Sequence, residues 1–490
     1  MAVQIRSPRI WITLRQRRPY TVMLYPPAQW TIPAHASLFT GKYANEHRML
    51  TLDSHLPDNL DTMATLVQTS GYYTAGFSNN PLIGVLNNGM RRGFNTFVYY
   101  AGMLTPFSVR RGGREEAAKR RHFYRRFLHS LASRQQSRII LSETWGQLMF
   151  SETVNQLWQT GLEVRGCHKG DTEQTLTDAL HLLVDRVYAE LDQPIFTFIN
   201  LMNDHLPYDL PDWAINQYAD ELRHVWKSRR RVRQLNAQIF QSLGHLEDGF
   251  PEERIRLTNA LHNAEVAALD KKPGCFFDQL RDFGRLDKTM VILTSDHGEQ
   301  LGDKQLPGHG FGVFEGLAHV PPVIYGPDSI FSHSTRRTPI VSTQRIFHTV
   351  LSAAEAATMK QQDLSLVQED GTRPVEEAVF IAAEAAPIAR KIVDRKAPGL
   401  LSKRGYDQSH RADYLNGYKL IFSVQKTLFF NNIHDDPQEK MGSGFEESPE
   451  KDRLSSLLAN YHGVPGQGST AKNEIADAVV RRRLQDLVYG

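Results

Sequence analysis

The chain has 490 residues, 41% hydrophobic and 23% charged, which is enough to bury a large core and is the composition of a globular rather than a disordered protein. With 57 Lys and Arg against 54 Asp and Glu, the net charge of +3 gives no whole-molecule argument for a nucleic-acid or membrane partner, and no nucleic acid is expected. Two cysteines, Cys167 and Cys275, are too few for a disulfide framework or a cysteine zinc site and suit a reducing compartment.

The first 20 residues are basic but carry no apolar run of signal-peptide length, and no later stretch is apolar enough to span a bilayer. The expected location is therefore cytoplasmic. Residues 9–14, RIWITL, have the pattern of a strand and bring no carboxylate. WTIPAHASLFTGKY, residues 30–43, predicts a helix beginning near Pro33. A short helix over 61–70, closed by Gly71, leads to a strand over 72–77. A second helix over 172–191 aligns Leu176, Leu180, Leu183, Val184 and Val187 and precedes an apolar strand over 195–202. A third helix over 254–283, with a kink expected at Pro273, precedes a strand over 290–294. This repeated order predicts an α/β fold, a mainly parallel central sheet with helices on both faces, over residues 1–370.

Two polar insertions, about 103–169 and 213–251, interrupt it. The first holds a basic run, Arg110 to Arg126, which reads either as an anionic contact or, more simply, as a solvated helix face. From about residue 371 the pattern changes to VFIAAEA, YKLIFS and TLFFNNI, short strands separated by turns. They predict a smaller antiparallel subdomain and tail over 371–490.

Ligands of parallel α/β sheets collect at the carboxyl ends of the strands, and four polar segments fall there. In the first, Thr31 precedes a helix whose free amides and positive dipole end would face an anion, with His35 one turn in. A threonine hydroxyl needs a metal or a base to become a nucleophile, and an ordinary N-cap is the competing reading. In TSDHGEQLGD a buried strand delivers Asp296 and His297 together, a carboxylate and an imidazole suited to a hard or borderline metal, unless the segment is simply a turn around Gly298. NDHLPY places Asp204 and His205 after the 195–202 strand, where His205 can contact a substrate anion or protonate a leaving group, although a single histidine there is often incidental. PGHGFGVFEG adds His309.

At these residues the chain resembles the sulfatase family of the alkaline phosphatase superfamily. Thr31-Ile-Pro33-Ala-His35 followed by Ser37-Leu-Phe-Thr-Gly41-Lys42 fits the frame of the nucleophile signature, C/S-x-P-x-R and then L-x-T-G-R/K. LDKTMVILTSDHGE fits the second metal motif, HLPY the substrate-histidine motif, and GYKLIFS with LFFNNIHDDPQEK the closing strands, so the likeness runs from about residue 30 to 440. The resemblance implies an alkaline-phosphatase-like fold and a divalent cation, Ca²⁺, Mg²⁺ or Mn²⁺ with Zn²⁺ as a further candidate, held by Asp296 and His297. It implies Thr31 as nucleophile, His205 assisting the leaving group, and His35, Asn79, Lys42 and His309 as substrate contacts. The substrate expected is a small-molecule, lipid or carbohydrate ester of sulfate or phosphate.

The departures matter. Thr31 stands where the family converts Cys or Ser to formylglycine, so it is expected to act as a plain alkoxide on phosphate esters in preference to sulfate esters. His35 stands at the arginine position and Asn79, or its neighbour Asn80, at a lysine position. The family's first strand ends in metal-binding aspartates, whereas no Asp or Glu occurs here before Glu46. That strand is expected to be missing, with weak metal binding and little activity as the consequence. The alternatives are a phosphodiesterase or a phosphoglycerol or phosphoethanolamine transferase, and a catalytically inactive homologue that keeps the anion pocket.

Overall fold

The computed structural model describes residues 23–100 except 85, and 169–462 apart from 170, 189–192, 207, 220–221, 223–230, 233–234, 236–250, 328–338, 359–361, 368–377, 385–389, 391–392, 395–396, 424–425 and 441–447. The RIWITL segment, the basic run and Cys167 lie outside these residues.

Strand β1 (Met23–Tyr25) leads into helix α1 (Thr31–Thr40), followed by α2 (Met63–Thr69), β2 (Tyr73–Ser78) and β3 (Thr96–Tyr99). Nine of the ten residues of α1 are buried, because Ala34, Ala36 and Ser37 are small enough to let neighbours approach on every side. The helix ends at Gly41 with φ of 64°, and a Cβ there would lie 2.6 Å from Phe347 Cδ1, so glycine is required on both counts.

Next come α3 (Thr172–Tyr188), β4 (Ile195–Asn200), α4 (Asp212–Tyr218) and α5 (Glu252–Asp282). Strands pair in the order β3-β2-β4, all parallel. Alternation along β4 decides the two faces. Phe196 and Phe198 pack with Ile32, Phe39 and Met63 from α1 and α2, while Ile199 joins Leu180 of α3 and Phe276 and Leu280 of α5. Helix α5 runs unbroken through Pro273, which is buried, where the sequence predicts a kink.

The chain continues with β5 (Val291–Leu293), α6 (Glu315–Ala318), β6 (Val323–Tyr325), β7 (Ile340–Ser342) and α7 (Arg345–Ala353). β7 pairs parallel with β1, but β5 pairs antiparallel with β6, so the third helix-strand step does not simply extend the parallel set.

Strands β8 (Val379–Ala383), β9 (His410–Leu415), β10 (Tyr418–Ser423) and β11 (Lys426–Asn432) form an antiparallel sheet in sequence order, and α8 (Pro449–His462) covers one face through Leu454 and Leu458 against Leu420 and Phe430. The opposite face packs on the main body around Tyr25, Ile340 and Val313. Between the two, fully buried Lys419 binds Glu439 at 2.6 Å and Glu315 at 3.0 Å, and Tyr414 donates to Glu315 at 2.6 Å. No helix among the described residues is long and apolar enough to cross a membrane. The whole is a mixed α/β fold with a parallel sheet, helices on both faces and a C-terminal antiparallel sheet.

Candidate active site

The N-terminus of α1 opens on a small cleft walled by Trp30, Leu82 and Met202 and lined by Thr31, Asn80, His205 and His309. Thr31 is the first helical residue rather than the N-cap, which is Trp30 in extended conformation with no side-chain cap. The first turn has no acidic residue, and Pro33 removes one further donor, so the amides of Thr31 and Ile32 are the free ends of the helix dipole. Asn80 reaches Thr31 Oγ1 through its Nδ2 at 3.5 Å. Its own orientation is set by Ser78 Oγ, which accepts from the Asn80 amide at 3.0 Å, and by the Leu82 amide, which donates to Asn80 Oδ1 at 2.9 Å.

The opposite wall is a histidine cluster. The His205 ring lies 4.9 Å from that of His309, and His297 lies 4.5 Å from His309. Burial, reinforced by His309, lowers the His205 pKa to about 4, so at neutral pH it is uncharged. Its Nδ1 donates to the Leu206 carbonyl, which leaves Nε2 as a proton acceptor. Glu299 is held by His309 Nδ1 at 3.1 Å. Burial raises that carboxyl, but His309, together with His205 and His297, brings the pKa down to about 2. Gly298 anchors this loop by donating to Leu317 O at 2.9 Å, and a Cβ there would stand 2.1 Å from the Gly316 carbonyl oxygen.

The structure brings Thr31, His205 and His309 together and leaves three other expected residues elsewhere. His35 is buried between α1 and β4, edge-on to Phe39 and Phe198. Its Nδ1 faces Thr31 O at 3.0 Å and Asp296 Oδ2 at 3.4 Å, and Asn200 Nδ2 donates to Nε2 at 3.2 Å. Burial lowers its pKa, and with both nitrogens engaged it has no lone donor for a substrate oxygen. Asn79 accepts from Thr175 at 2.7 Å and donates toward Thr172 at 3.5 Å, tying β2 to α3; its neighbour Asn80 occupies the cleft instead. Lys42 lies past the far end of α1, about 15 Å along the axis, where it pairs with Glu46 at 3.0 Å. Glu299 and Asn200, unassigned from sequence, prove to be contacts of His309 and His35. Glu299 had a signal in TSDHGE, whereas a polar residue closing an apolar strand gives Asn200 none.

Asp296 and His297 do meet at the end of β5, with His297 Nε2 3.7 Å from Asp296 Oδ2. Among the described residues no group of three or more His, Cys, Asp or Glu is arranged to hold a metal, and residues 1–22 contain none of these residue types. Hard cations take six or more oxygen ligands. Here the Asp296 oxygen nearest His297 already faces the His35 ring nitrogen, so the described donors do not fit a divalent cation.

Fold and cleft together define an alkaline-phosphatase-like α/β protein with an uncapped helix end at the carboxyl edge of its sheet. The sulfatase family model matches residues 24–356, and the chain belongs to the sulfatase family. Among curated relatives, arylsulfatase K of Danio rerio is 31% identical over 171 residues, 31% of this chain and 32% of that protein. Choline-sulfatase of Rhizobium meliloti is 38% identical over 76 residues, 16% of this chain and 15% of that protein. The matched stretches thus span a third or less of the length of these relatives. The phosphonate monoester hydrolase of Agrobacterium radiobacter shares the fold with a TM-score of 0.59 at 18% identity, covering 93% of this chain and 90% of that one. A structure in complex with its substrate D-glucosamine-2-N,6-O-disulfate does so with a TM-score of 0.60 at 15% identity, covering 94% and 93%.

Proposed function

We propose that this chain hydrolyses small-molecule, lipid or carbohydrate esters of phosphate, and of sulfate less readily, with Thr31 as the nucleophile. The observation that carries the reading is the position of the Thr31 hydroxyl at the uncapped amide end of α1, on a cleft shared with a neutral, proton-accepting His205. The free amides and Asn80 would hold the non-bridging oxygens as charge builds on them. Thr31 Oγ1 would attack phosphorus while its proton passes to His205 Nε2. The ester P–O bond then breaks, and the His205 imidazolium returns that proton to the leaving oxygen. Water, deprotonated by the same imidazole, would then attack phosphorus and break the P–Oγ1 bond, and the imidazolium would return that proton to Thr31 Oγ1 as phosphate leaves. His205 thus begins as a base and becomes the acid only within the reaction, because burial keeps it unprotonated beforehand. The Ser37–His47 contact, 2.9 Å and fully buried, is no rival dyad. His47 Nδ1 accepts the Met49 amide at 3.0 Å, so the protonated Nε2 donates to Ser37 and is unavailable as a base.

Turnover of nitrophenyl phosphate, phenylphosphonate and nitrophenyl sulfate, with and without Ca²⁺, Mg²⁺ or Mn²⁺, tests the proposal. Thr31→Ala should abolish it, and mass spectrometry of quenched turnover should find phosphate on Thr31; an Ala variant with the wild-type rate refutes it. The Asp296–His35 contact favours a second reading, an anion-binding homologue without turnover, since the carboxylate of the metal motif is already engaged by a ring nitrogen. Phosphate binding that Thr31→Ala leaves intact, with no turnover by either form, would select it.

A further inference from the structure

The loop that carries His205 is held from beneath by a buried ion pair. Lys169, immediately before α3, is 4% exposed; its Nζ donates to Glu265 Oε1 at 2.7 Å and to the Asn203 carbonyl at 2.6 Å. Glu265, on α5, is 2% exposed. Thr172, the first residue of α3, donates from Oγ1 to Asn203 Oδ1. Asn203 is therefore gripped by both its main chain and its side chain within the turn that the His205 amide closes on Met202 O at 3.4 Å. On the far side of the same loop, the Tyr208 ring lies 5.7 Å from Lys169 Nζ. Lys169 and Glu265, distant in sequence, thus meet beneath a backbone carbonyl two residues from the cleft imidazole.

A buried ion pair is a poor stabiliser compared with apolar side chains of the same volume, because both charges must leave water. What it supplies is direction. Two of the three Nζ donors are spent on one carboxylate and one carbonyl, and displacement of the turn would break the bond to the carbonyl. From this geometry we infer that Lys169, oriented by Glu265, is a positioning residue that fixes the His205 imidazole against the Thr31 cleft. The inference rests on the proposed role of His205 for its catalytic consequence, though not for its structural one.

The test uses the full chain with ring-labelled histidine, the His205 resonance being assigned by its loss in His205→Ala. Lys169→Met should shift or broaden that resonance. It should also lower kcat on nitrophenyl phosphate by about 10²-fold while KM stays within about twofold, the split expected when a bound substrate meets a misplaced base. Lys169→Arg, which keeps a charged donor, should recover most of kcat. A folded Lys169→Met protein whose His205 resonance is unmoved overturns the inference. If that variant does not fold, Thr172→Val, which removes the grip on the Asn203 side chain together with the long contact from Asn79, must move the same resonance or the inference falls. If the wild-type chain turns over none of the esters, the proposed function fails, and the His205 resonance still decides the positioning role.

Discussion

Asp413 offers a stability prediction that can be worked from the structure. It lies on β9, opposite Phe380 and Leu420 on the face covered by α8, is wholly buried, and neither carboxyl oxygen has a hydrogen-bond partner among the described residues. Burial raises its pKa from the ordinary 3.8 to about 8. The unfolded chain loses this proton near pH 3.8 while the folded chain keeps it to about pH 8, so between those values the native state binds the extra proton and stability falls as pH rises. Over the roughly three pH units from 3.8 to 7, at 1.36 kcal/mol per unit, the penalty reaches about 4 kcal/mol. Asp413→Asn keeps the shape and removes the titration. Urea unfolding of both proteins should give nearly equal stability close to pH 4 and a gap that widens to about 4 kcal/mol in favour of the variant at pH 7. Parallel stability curves from pH 5 to pH 8 would refute the reasoning, since they would mean that Asp413 titrates alike in both states.

Asn80→Ala should weaken phosphate binding and turnover, whereas Asn79→Ala should leave kcat unchanged and cost about 1–2 kcal/mol of stability through its lost bonds to Thr172 and Thr175. Steady-state kinetics beside thermal melts of the two variants separate these effects. Gly298→Ala forces a methyl group against the Gly316 carbonyl and should cost about 1–3 kcal/mol, with a displaced His297 and Glu299 visible as lost activity; a fully active variant of unchanged stability contradicts the packing described. Calorimetric titration with Ca²⁺, Mg²⁺ and Mn²⁺ should show binding no tighter than about 10⁻⁴ M, because Asp296 and His297 lack further ligands among the described residues. Micromolar affinity lost in Asp296→Ala would show instead that a working site assembles.

The alternation of helix and apolar strand was enough to expect the α/β class, since β4 and β5 carry apolar runs of the kind a covered sheet accommodates, although in the structure both strands are only half-buried. Strand β9 was not legible, because buried Asp413 and half-buried Arg411 break the apolar rhythm that marked β10 and β11. The motifs likewise placed Thr31, His205, Asp296, His297 and His309 near one sheet edge, each following a strand or opening a helix. Which side chain turns into the cleft was decided by contacts between distant segments. Adjacent residues at the end of β2 face opposite ways, so Asn80 meets Thr31 while Asn79 braces α3. His35 looked like a substrate ligand in its motif, yet α1 is packed on all sides and directs the ring to Asn200 and Asp296. The protonation of His205 is of the same kind: residue type alone allows either charge near neutral pH, and partial burial beside His309 favours the neutral ring. Local sequence thus determined which elements form and where polar residues gather. Burial and partner geometry, which belong to the folded chain alone, decided which of them face the cleft.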